Sequence, residues 1–210
     1  MPSKPNEKRE SKHVAFIGST GSGKTYKVKQ LLAKNPDANV IVYDPYETYN
    51  DVLPYPKTFN ELGGLVRCAI ERKERFRLAY AGNGDFELFC KLVWAAANGD
   101  HETYVVFEEA GSYISDSAKV SDTWYKMITV GRKYGVVVVA VVQRPQNLNK
   151  TVYDMLSKVW IGFCSGRSVD YMERDYKIDL SVIDPKTYSY YMVEGGKSVL
   201  FDKNDKPIKK

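Results

Sequence analysis

The chain has 210 residues, 43% of them hydrophobic and 27% charged, with a formal net charge of +5. This composition is typical of a globular domain with a substantial core, and it excludes a low-complexity or disordered chain. No apolar stretch approaches the roughly 20 residues that span a bilayer, and the polar N-terminus lacks the apolar centre of a signal peptide. Cys68, Cys90 and Cys164 are too few and too widely spaced for a disulfide framework or a metal site, so a cytoplasmic location is expected.

Short apolar strands alternate with helices along most of the chain. The sequence predicts strands near 13–18, 39–44, 75–82, 103–107, 136–143 and 158–165. It predicts helices near 24–35, 58–73, 85–99, 122–135 and 151–157. The segment 187–202 has two alternating runs around Gly195 and Gly196, which is typical of a β-hairpin. The expected fold is α/β, with a mostly parallel sheet flanked by helices on both faces and a C-terminal β-hairpin.

One domain is predicted over residues 13–202, between a basic N-terminal tail, 1–12, and a basic C-terminal tail, 203–210. Residues 1–13 carry a net charge of +2 and residues 203–210 carry +3, so the ends hold the whole positive excess. Basic tails can bind phosphate backbones, but they are at least as often solubilising ends. Charge alone therefore supports nucleic-acid binding only weakly.

A phosphate-binding loop follows the first strand. The segment GSTGSGKT, residues 18–25, matches the pattern G-x-x-x-x-G-K-[ST] between a predicted strand and a predicted helix. Its glycines let backbone N–H groups face phosphate oxygens, Lys24 adds a positive charge, and the Thr25 hydroxyl can ligate Mg²⁺. The sequence therefore predicts a RecA-like P-loop NTPase domain that binds ATP and Mg²⁺. The predicted contacts are Gly18, Ser19, Thr20, Gly21, Ser22, Gly23, Lys24 and Thr25.

Four classes of P-loop protein compete: small-molecule kinases, GTPase switches, ATPases that act alone, and oligomeric motors. A GTPase should carry N-K-x-D to read guanine, and the nearest segment, NKTVYD at 149–154, has the wrong spacing. A kinase has little use for a base that activates water, whereas a hydrolase needs one.

Two adjacent carboxylates follow the strand that begins at Thr103. Glu108 is predicted to reach Mg²⁺, through water, and Glu109 is predicted to orient and deprotonate the attacking water. Gln143, at the end of the next predicted strand, can hydrogen-bond the γ-phosphate or that water. We therefore expect a hydrolase in which Lys24, Glu109 and Gln143 are catalytic.

Four motifs, in order, resemble the HerA/FtsK superfamily of P-loop motor ATPases. They are GSTGSGKT, VIVYDPYETY, VVFEEAG and GRKYGVVVVAVVQRP, and the similarity spans about residues 13–165. Bacterial translocases and helicases of this superfamily carry further domains for which 210 residues leave no room. A bare motor domain with short basic tails is similar to the genome-packaging ATPases of tailless, icosahedral double-stranded DNA viruses.

This resemblance implies a homo-oligomeric ring, expected to be a hexamer, that hydrolyses ATP to push double-stranded DNA into a preformed capsid. Its partners would be DNA and capsid vertex proteins, in the host cytoplasm or at the packaging vertex, without a membrane span. The resemblance also implies that a neighbouring subunit supplies an arginine to each site. Arg132 is the first choice for this arginine finger, and Arg144 and Arg167 are alternatives.

Some alternatives stay open at this point. The metal-side acid of the superfamily is usually aspartate, so the longer Glu108 could exchange roles with Glu109. The function could instead be that of a phage morphogenesis or assembly ATPase, or of an ATP-dependent switch that does not translocate DNA.

Two polar loops are candidates for DNA contact. They are residues 45–57 and residues 111–121, the latter with Tyr113 and Lys119. The histidines, His13 and His101, have no companions at metal-ligand spacing, and we assign them no chemistry.

Overall fold

The computed structural model describes residues 1–82, 85–114 and 121–208. Within these ranges, the strands are β1 (Val14–Ile17), β2 (Asn39–Tyr43), β3 (Arg77–Tyr80), β4 (Thr103–Phe107), β5 (Val136–Val142), β6 (Lys158–Ile161), β7 (Tyr190–Glu194) and β8 (Lys197–Phe201). The α-helices are α1 (Lys24–Ala33), α2 (Phe59–Glu71), α3 (Phe86–Ala96), α4 (Asp122–Thr129), α5 (Lys150–Met155) and α6 (Arg167–Tyr176).

The strands form one sheet in the order β3-β2-β4-β5-β1-β6-β7-β8. All neighbours from β3 to β6 are parallel, while β7 pairs with β6 and with β8 in antiparallel fashion. The predicted α/β fold, with its mostly parallel sheet and C-terminal hairpin, is confirmed. Strand β5 lies between β1 and β4, which brings the ends of these three strands together.

Both faces of the sheet are covered, which explains why its strands read as continuous apolar runs. All seven residues of β5 are buried. One face packs against α1, through Val28 and Leu32, and against the loop 45–57, through Tyr49 and Leu53. The other face packs against helices α2 to α6.

Helix α1 begins at the phosphate loop and is held at its far end by Arg77 of β3. The guanidinium donates hydrogen bonds to the carbonyl oxygens of Leu32 (2.8 Å), Asn35 (3.0 Å) and Ala38 (3.3 Å). Carbonyl groups at a helix C-terminus lack partners within the helix, so a cation there stabilises the helix end. Arg77 thereby anchors the helix that carries the phosphate loop to the sheet.

Two helical segments differ from the sequence prediction. The helix predicted near 122–135 ends at Thr129 and continues as a 3₁₀ turn, Gly131–Tyr134, closed by Gly135 at a φ of 73°. Helix α6 was not predicted, although Val169, Met172 and Tyr176 recur at i, i+3 and i+7 and pack in or against the core. Among the described residues, no helix is long and apolar enough to cross a membrane.

The N-terminal segment lies against the amino end of the sheet. Lys4 pairs with Asp100, and both Arg9 and Lys12 pair with Glu102. The backbone N–H groups of Ser3 and Asn6 donate to the carbonyl oxygens of Ala97 (3.0 Å) and Lys133 (2.7 Å), respectively. Most basic side chains of the predicted N-terminal tail therefore form ion pairs with acidic side chains of the same chain.

The described part of the C-terminal segment also folds back. The Ile208 N–H donates to the Leu200 carbonyl oxygen at 2.8 Å. Asp205 accepts hydrogen bonds from Lys27 of α1 and from Lys34, which directly follows α1. The described residues of this segment therefore pack against the domain, and residues 209–210 lie outside the described part of the chain.

Candidate active site

The parallel strands bring the predicted site residues to one edge of the sheet. The register aligns Ile17 of β1 with Val142 of β5, so Gly18 and Gln143 follow neighbouring strand ends. Strand β4 ends beside β5, and Glu108 and Glu109 come directly after it. Ligands of open α/β sheets bind outside the carboxyl ends of the strands. The phosphate loop, both glutamates and Gln143 therefore share one location.

The phosphate loop, residues 18–25, is supported by strands on both sides. The Gly18 N–H donates to the Val142 carbonyl oxygen (3.2 Å), and the Ser19 N–H donates to the Phe163 carbonyl oxygen (2.7 Å). Gly21 and Gly23 have φ angles of 79° and 92°, a region that favours glycine. A methyl group added at Gly18 would lie 3.0 Å from the Phe163 carbonyl oxygen. The glycines are therefore required by backbone conformation and close packing.

Lys24 is buried inside the loop. Its ammonium group donates to the carbonyl oxygens of Gly18 (2.8 Å) and Ser19 (3.0 Å). Burial lowers the pKa of Lys24, and the carboxylates of Glu109 and Glu108 act in the opposite direction. The two glutamates thus face the same space as the lysine, as the predicted site requires.

Glu108 is a buried carboxylate, 5% exposed, with a specific partner. The hydroxyl of Tyr49 donates to Glu108 Oε1 at 2.6 Å. Burial raises the pKa of Glu108 to about 7; the Tyr49 hydrogen bond and Lys24 oppose this shift, and Asp44 and Glu109 add to it. A buried carboxylate beside two other acids needs additional positive charge to be stable as an anion.

Asp44, at the end of β2, organises the loop that carries Tyr49. It is fully buried and accepts hydrogen bonds from the N–H groups of Tyr46 and Tyr49, both at 3.2 Å. The hydroxyls of Thr48 and Tyr55 donate to the same carboxylate. Sequence reasoning missed this role, although an aspartate directly after a buried strand is a signal that could have indicated it.

Glu109 contacts Gln143. Its backbone has a φ of 51°, which is uncommon for a residue with a side chain and occurs often at functional sites. The Gln143 amide donates to Glu109 Oε1, and the Thr20 hydroxyl donates to Gln143 Oε1 at 3.2 Å. A hydrogen-bonded chain therefore joins the phosphate loop to Glu109 through Gln143.

These groups line one cavity of about 590 Å³, which we call the acid cleft; Lys24, Thr25, Glu108, Glu109 and Gln143 are among its walls. The hydroxyl and carboxylate oxygens around it suit Mg²⁺, which binds through few protein ligands together with water and phosphate oxygens. Among the described residues, no group of three or more His, Cys, Asp or Glu side chains could hold a metal by itself. The donor set therefore fits a Mg²⁺ ion that enters with a nucleotide.

The three candidate arginines lie at opposite ends of the sheet. Arg132 precedes β5 and donates to the carbonyl oxygens of Glu7 (3.2 Å) and Arg9 (2.6 Å). The length of β5 separates it from its own phosphate loop by about 20 Å. Arg144 and Arg167 are exposed and line a cavity of about 800 Å³ beside the phosphate loop. Arg132 thus lies far from the phosphate loop of its own chain, whereas the other two lie near it.

The loops considered for DNA contact are partly engaged in packing. In the loop 45–57, Tyr49 is fully buried, while Tyr46 is 67% exposed and borders the acid cleft. The ring of Tyr113 stacks on Phe86 with centroids 5.4 Å apart. Lys119 lies outside the described residues.

The fold and the site together define a P-loop nucleoside triphosphatase. The phosphate loop follows β1. Gln143 follows β5, which lies beside β1 in the sheet, and Glu108 and Glu109 follow β4, which lies beside β5.

Comparison with known proteins finds similarities in sequence and in fold. The family model for the central domain of helicase HerA matches residues 7–79. Protein P9 of Pseudoalteromonas phage PM2 is 27% identical over 199 residues, which covers 87% of this chain and 86% of the phage protein.

The fold is similar to that of the genome packaging NTPase B204 of Sulfolobus turreted icosahedral virus 2. The complex of B204 with ATP-gammaS has a TM-score of 0.72 at 14% identity, covering 94% of this chain and 98% of B204. The complex with AMPPCP gives 0.70 at 15% identity with the same coverage. The resemblance to HerA/FtsK superfamily P-loop ATPases and to viral packaging ATPases, predicted from the sequence, is confirmed.

Proposed function

We propose that this protein is a Mg²⁺-dependent ATPase that translocates double-stranded DNA and packages a viral genome into a preformed capsid. It would act as a homo-oligomeric ring, expected to be a hexamer, at the capsid vertex or in the host cytoplasm. The observation that carries the hydrolase assignment is the hydrogen-bonded chain from Thr20 through Gln143 to Glu109. It joins the phosphate loop to a carboxylate, so occupancy of the loop can control the position of that carboxylate.

The proposed reaction uses the side chains of the acid cleft. On ATP binding, the Lys24 ammonium leaves the Gly18 and Ser19 carbonyl oxygens for the phosphate oxygens, where its charge offsets theirs. Glu109 accepts a proton from water as the water oxygen attacks the γ-phosphorus, and ADP departs with the electron pair of the broken P–O bond. Thr25 and Glu108 would hold Mg²⁺, directly or through water, and the ion would neutralise phosphate charge.

The burial of Glu108 supports the predicted order of roles. Glu108 is 5% exposed and held by Tyr49, whereas Glu109 is partly exposed and contacts the residue that reaches the phosphate loop. A general base that takes a proton from water must be accessible to water, as Glu109 is. A carboxylate that binds a cation can do so while it is buried, as Glu108 is.

The two glutamates provide a matched test of these roles. Glu109→Gln should lower ATP turnover by about 10²-fold to 10⁴-fold, the usual contribution of a general base, while ATP still binds. Glu108→Gln should instead raise the Mg²⁺ concentration needed for ATP binding, measured by titration of a fluorescent ATP analogue. Full turnover in Glu109→Gln would refute the base assignment, and a Mg²⁺ requirement raised only in Glu109→Gln would show that the roles are exchanged.

The motor function is supported by the similarity of the fold to that of the genome packaging NTPase B204 of Sulfolobus turreted icosahedral virus 2, and by the match of residues 7–79 to the central domain of helicase HerA. It is tested by measuring ATPase activity with and without duplex DNA over a range of salt concentrations. DNA should stimulate hydrolysis, and raised salt should abolish the stimulation, because phosphate contacts release counterions. Hydrolysis that DNA does not stimulate at any salt would favour the alternatives, an assembly ATPase or an ATP-dependent switch.

The position of Arg132, far from its own phosphate loop, suits a finger that acts on a neighbouring subunit. The Arg132→Ala protein should still bind ATP. In rings that contain both variant and wild-type subunits, ATPase activity should fall more steeply than the fraction of wild-type subunits. Arg144→Ala is the matched comparison, because Arg144 lies beside its own phosphate loop. A loss of activity in simple proportion to the Arg132→Ala fraction would count against the finger assignment.

A further inference from the structure

The hydroxyl of Tyr49 joins Glu108 to the loop 45–57. Tyr49 is fully buried, and its hydroxyl donates to Glu108 Oε1 at 2.6 Å. Glu108 is one of the walls of the acid cleft, whereas Tyr49 has no exposed surface that a nucleotide or an ion in the cleft could contact. Tyr49 can therefore act on a bound Mg²⁺ ion only through Glu108.

The choice of a carboxylate as the acceptor is unusual for a buried tyrosine. A buried hydroxyl needs an acceptor, and a neutral carbonyl oxygen satisfies it without burying a charge. Tyr153 has this arrangement, because its hydroxyl donates to a backbone carbonyl oxygen at 2.7 Å. Tyr49 donates instead to Glu108, whose negative charge is repelled by Asp44 and Glu109. A cation would offset this group of negative charges, so the bond suits a carboxylate that is held ready to bind one.

The length of the Glu108 side chain gives this bond a purpose. A glutamate has one more rotatable bond than an aspartate, so fixing its carboxylate in one position costs more side-chain entropy. The Glu108 N–H donates to the Tyr43 carbonyl oxygen at 3.0 Å, which fixes only the main chain. The hydrogen bond from Tyr49 fixes the carboxylate itself through Oε1 and leaves Oε2 for a cation.

The loop 45–57, which carries Tyr49, is also attached to the helix that follows the phosphate loop. Lys29 of α1 pairs with Asp51 at 2.5 Å, and its ammonium nitrogen lies 5.5 Å from the centre of the Tyr49 ring. The loop 45–57 therefore contacts the phosphate-binding part of the site through Lys29 and the acidic part through Glu108. A restraint on the Glu108 carboxylate would be passed to this loop through a direct hydrogen bond.

We infer that Tyr49 is a positioning residue for the Mg²⁺ that accompanies the nucleotide. Its hydroxyl holds the Glu108 carboxylate in the orientation that meets the ion, and through this bond the loop 45–57 becomes more ordered when the ion is bound. The loop is one of the two candidates for DNA contact, so the same bond would connect the nucleotide state to a surface that can face DNA. This inference rests on the proposed function, because it assumes that Mg²⁺ and a nucleoside triphosphate occupy the acid cleft.

The first test measures the affinity for a fluorescent ATP analogue in Mg²⁺ and in EDTA. Tyr49→Phe keeps the ring and removes one hydrogen bond to a charged group, so binding in Mg²⁺ should weaken by about 10-fold while binding in EDTA stays unchanged. Tyr104→Phe is the matched control, because its hydroxyl donates to Glu102 at the opposite end of β4, and both of its affinities should equal those of the wild type. An equal loss for Tyr49→Phe in Mg²⁺ and in EDTA, or no loss in either, would overturn the inference.

A double-mutant cycle shows whether Tyr49 acts through Glu108. Glu108→Ala leaves no carboxylate to position, so the addition of Tyr49→Phe should not weaken binding in Mg²⁺ any further. Losses that add in the double variant would mean that Tyr49 affects binding by another route, and the inference would fail.

Hydrogen exchange of backbone amides gives a readout other than affinity. In the wild type, saturating AMPPCP with Mg²⁺ should slow exchange within residues 45–57 relative to saturating AMPPCP in EDTA, and Tyr49→Phe should lose this difference. Exchange within residues 18–25 should be slowed by the nucleotide in both proteins. Equal slowing of residues 45–57 in the two proteins, or slowing that does not need Mg²⁺, would overturn the inference and leave the proposed ATPase intact. A wild type in which the nucleotide slows exchange nowhere would overturn the proposed function, and the inference with it.

Discussion

His13 should make the stability of this protein depend strongly on pH. It precedes β1, is 1% exposed, and has both ring nitrogens engaged. The Nε2–H donates to the Ile128 carbonyl oxygen at 3.1 Å, and the Val138 N–H donates to Nδ1 at 3.0 Å. The ring is therefore a neutral tautomer, and a second proton on Nδ1 would face a hydrogen-bond donor. Burial lowers the pKa of His13 from 6.5 to about 4, and the bond to Ile128 opposes this only partly.

The sign and size of the effect follow from linkage. The folded pKa is depressed, so the unfolded chain takes up the proton first, and the contribution of His13 to stability is lost as pH falls from 6.5 towards 4. The full loss is about 3 kcal/mol, of which about 2 kcal/mol falls between pH 7 and pH 5.

The assay is urea unfolding of the wild type and of His13→Gln over this pH range. Other titrating groups are common to both proteins, so the difference between their free energies of unfolding isolates His13. The wild type should lose about 2 kcal/mol relative to the variant between pH 7 and pH 5. A difference that stays constant, or an NMR titration of folded His13 with a midpoint near 6.5, would refute this reasoning. If His13→Gln does not fold, the NMR titration alone decides.

Three further changes have defined outcomes. Gly18→Ala should weaken ATP binding by about 10-fold or more in calorimetry, because the added methyl group would lie 2.6 Å from Ser22 Oγ and 3.0 Å from a backbone carbonyl oxygen. Gly64→Ala, with nothing within 4 Å of its methyl group, should stabilise helix α2 by about 0.5–1 kcal/mol, and a destabilised variant would show that the helix is not packed as described. Arg77→Met should lower the free energy of unfolding by about 1–3 kcal/mol by leaving carbonyl oxygens at the end of α1 without a donor; an unchanged urea midpoint would contradict that role.

The positions of the main site residues could be predicted from the sequence because each follows a recognisable local pattern. The loop of residues 18–25 has a fixed spacing of glycines, and Glu108, Glu109 and Gln143 directly follow buried apolar strands. Once the strands are parallel, their carboxyl ends must meet, so local patterns imply a shared site. Helix α6 was missed because most of its residues are polar, although Val169, Met172 and Tyr176 recur at helical spacing and pack in or against the core.

The sequence by itself determined the class of fold, the phosphate loop and the pair of acids, since these depend on contacts between near neighbours in the chain. Only the tertiary structure decided which side chains surround the phosphate loop and the two glutamates. The bond from Tyr49 to Glu108 joins positions 59 residues apart, and the pairing of Lys27 with Asp205 joins positions 178 apart. The tertiary structure also placed the basic ends of the chain, which read as free tails, against Glu102 and helix α1. No local pattern encodes such partners, because they depend on how the sheet orders its strands and on which side chains that order brings together.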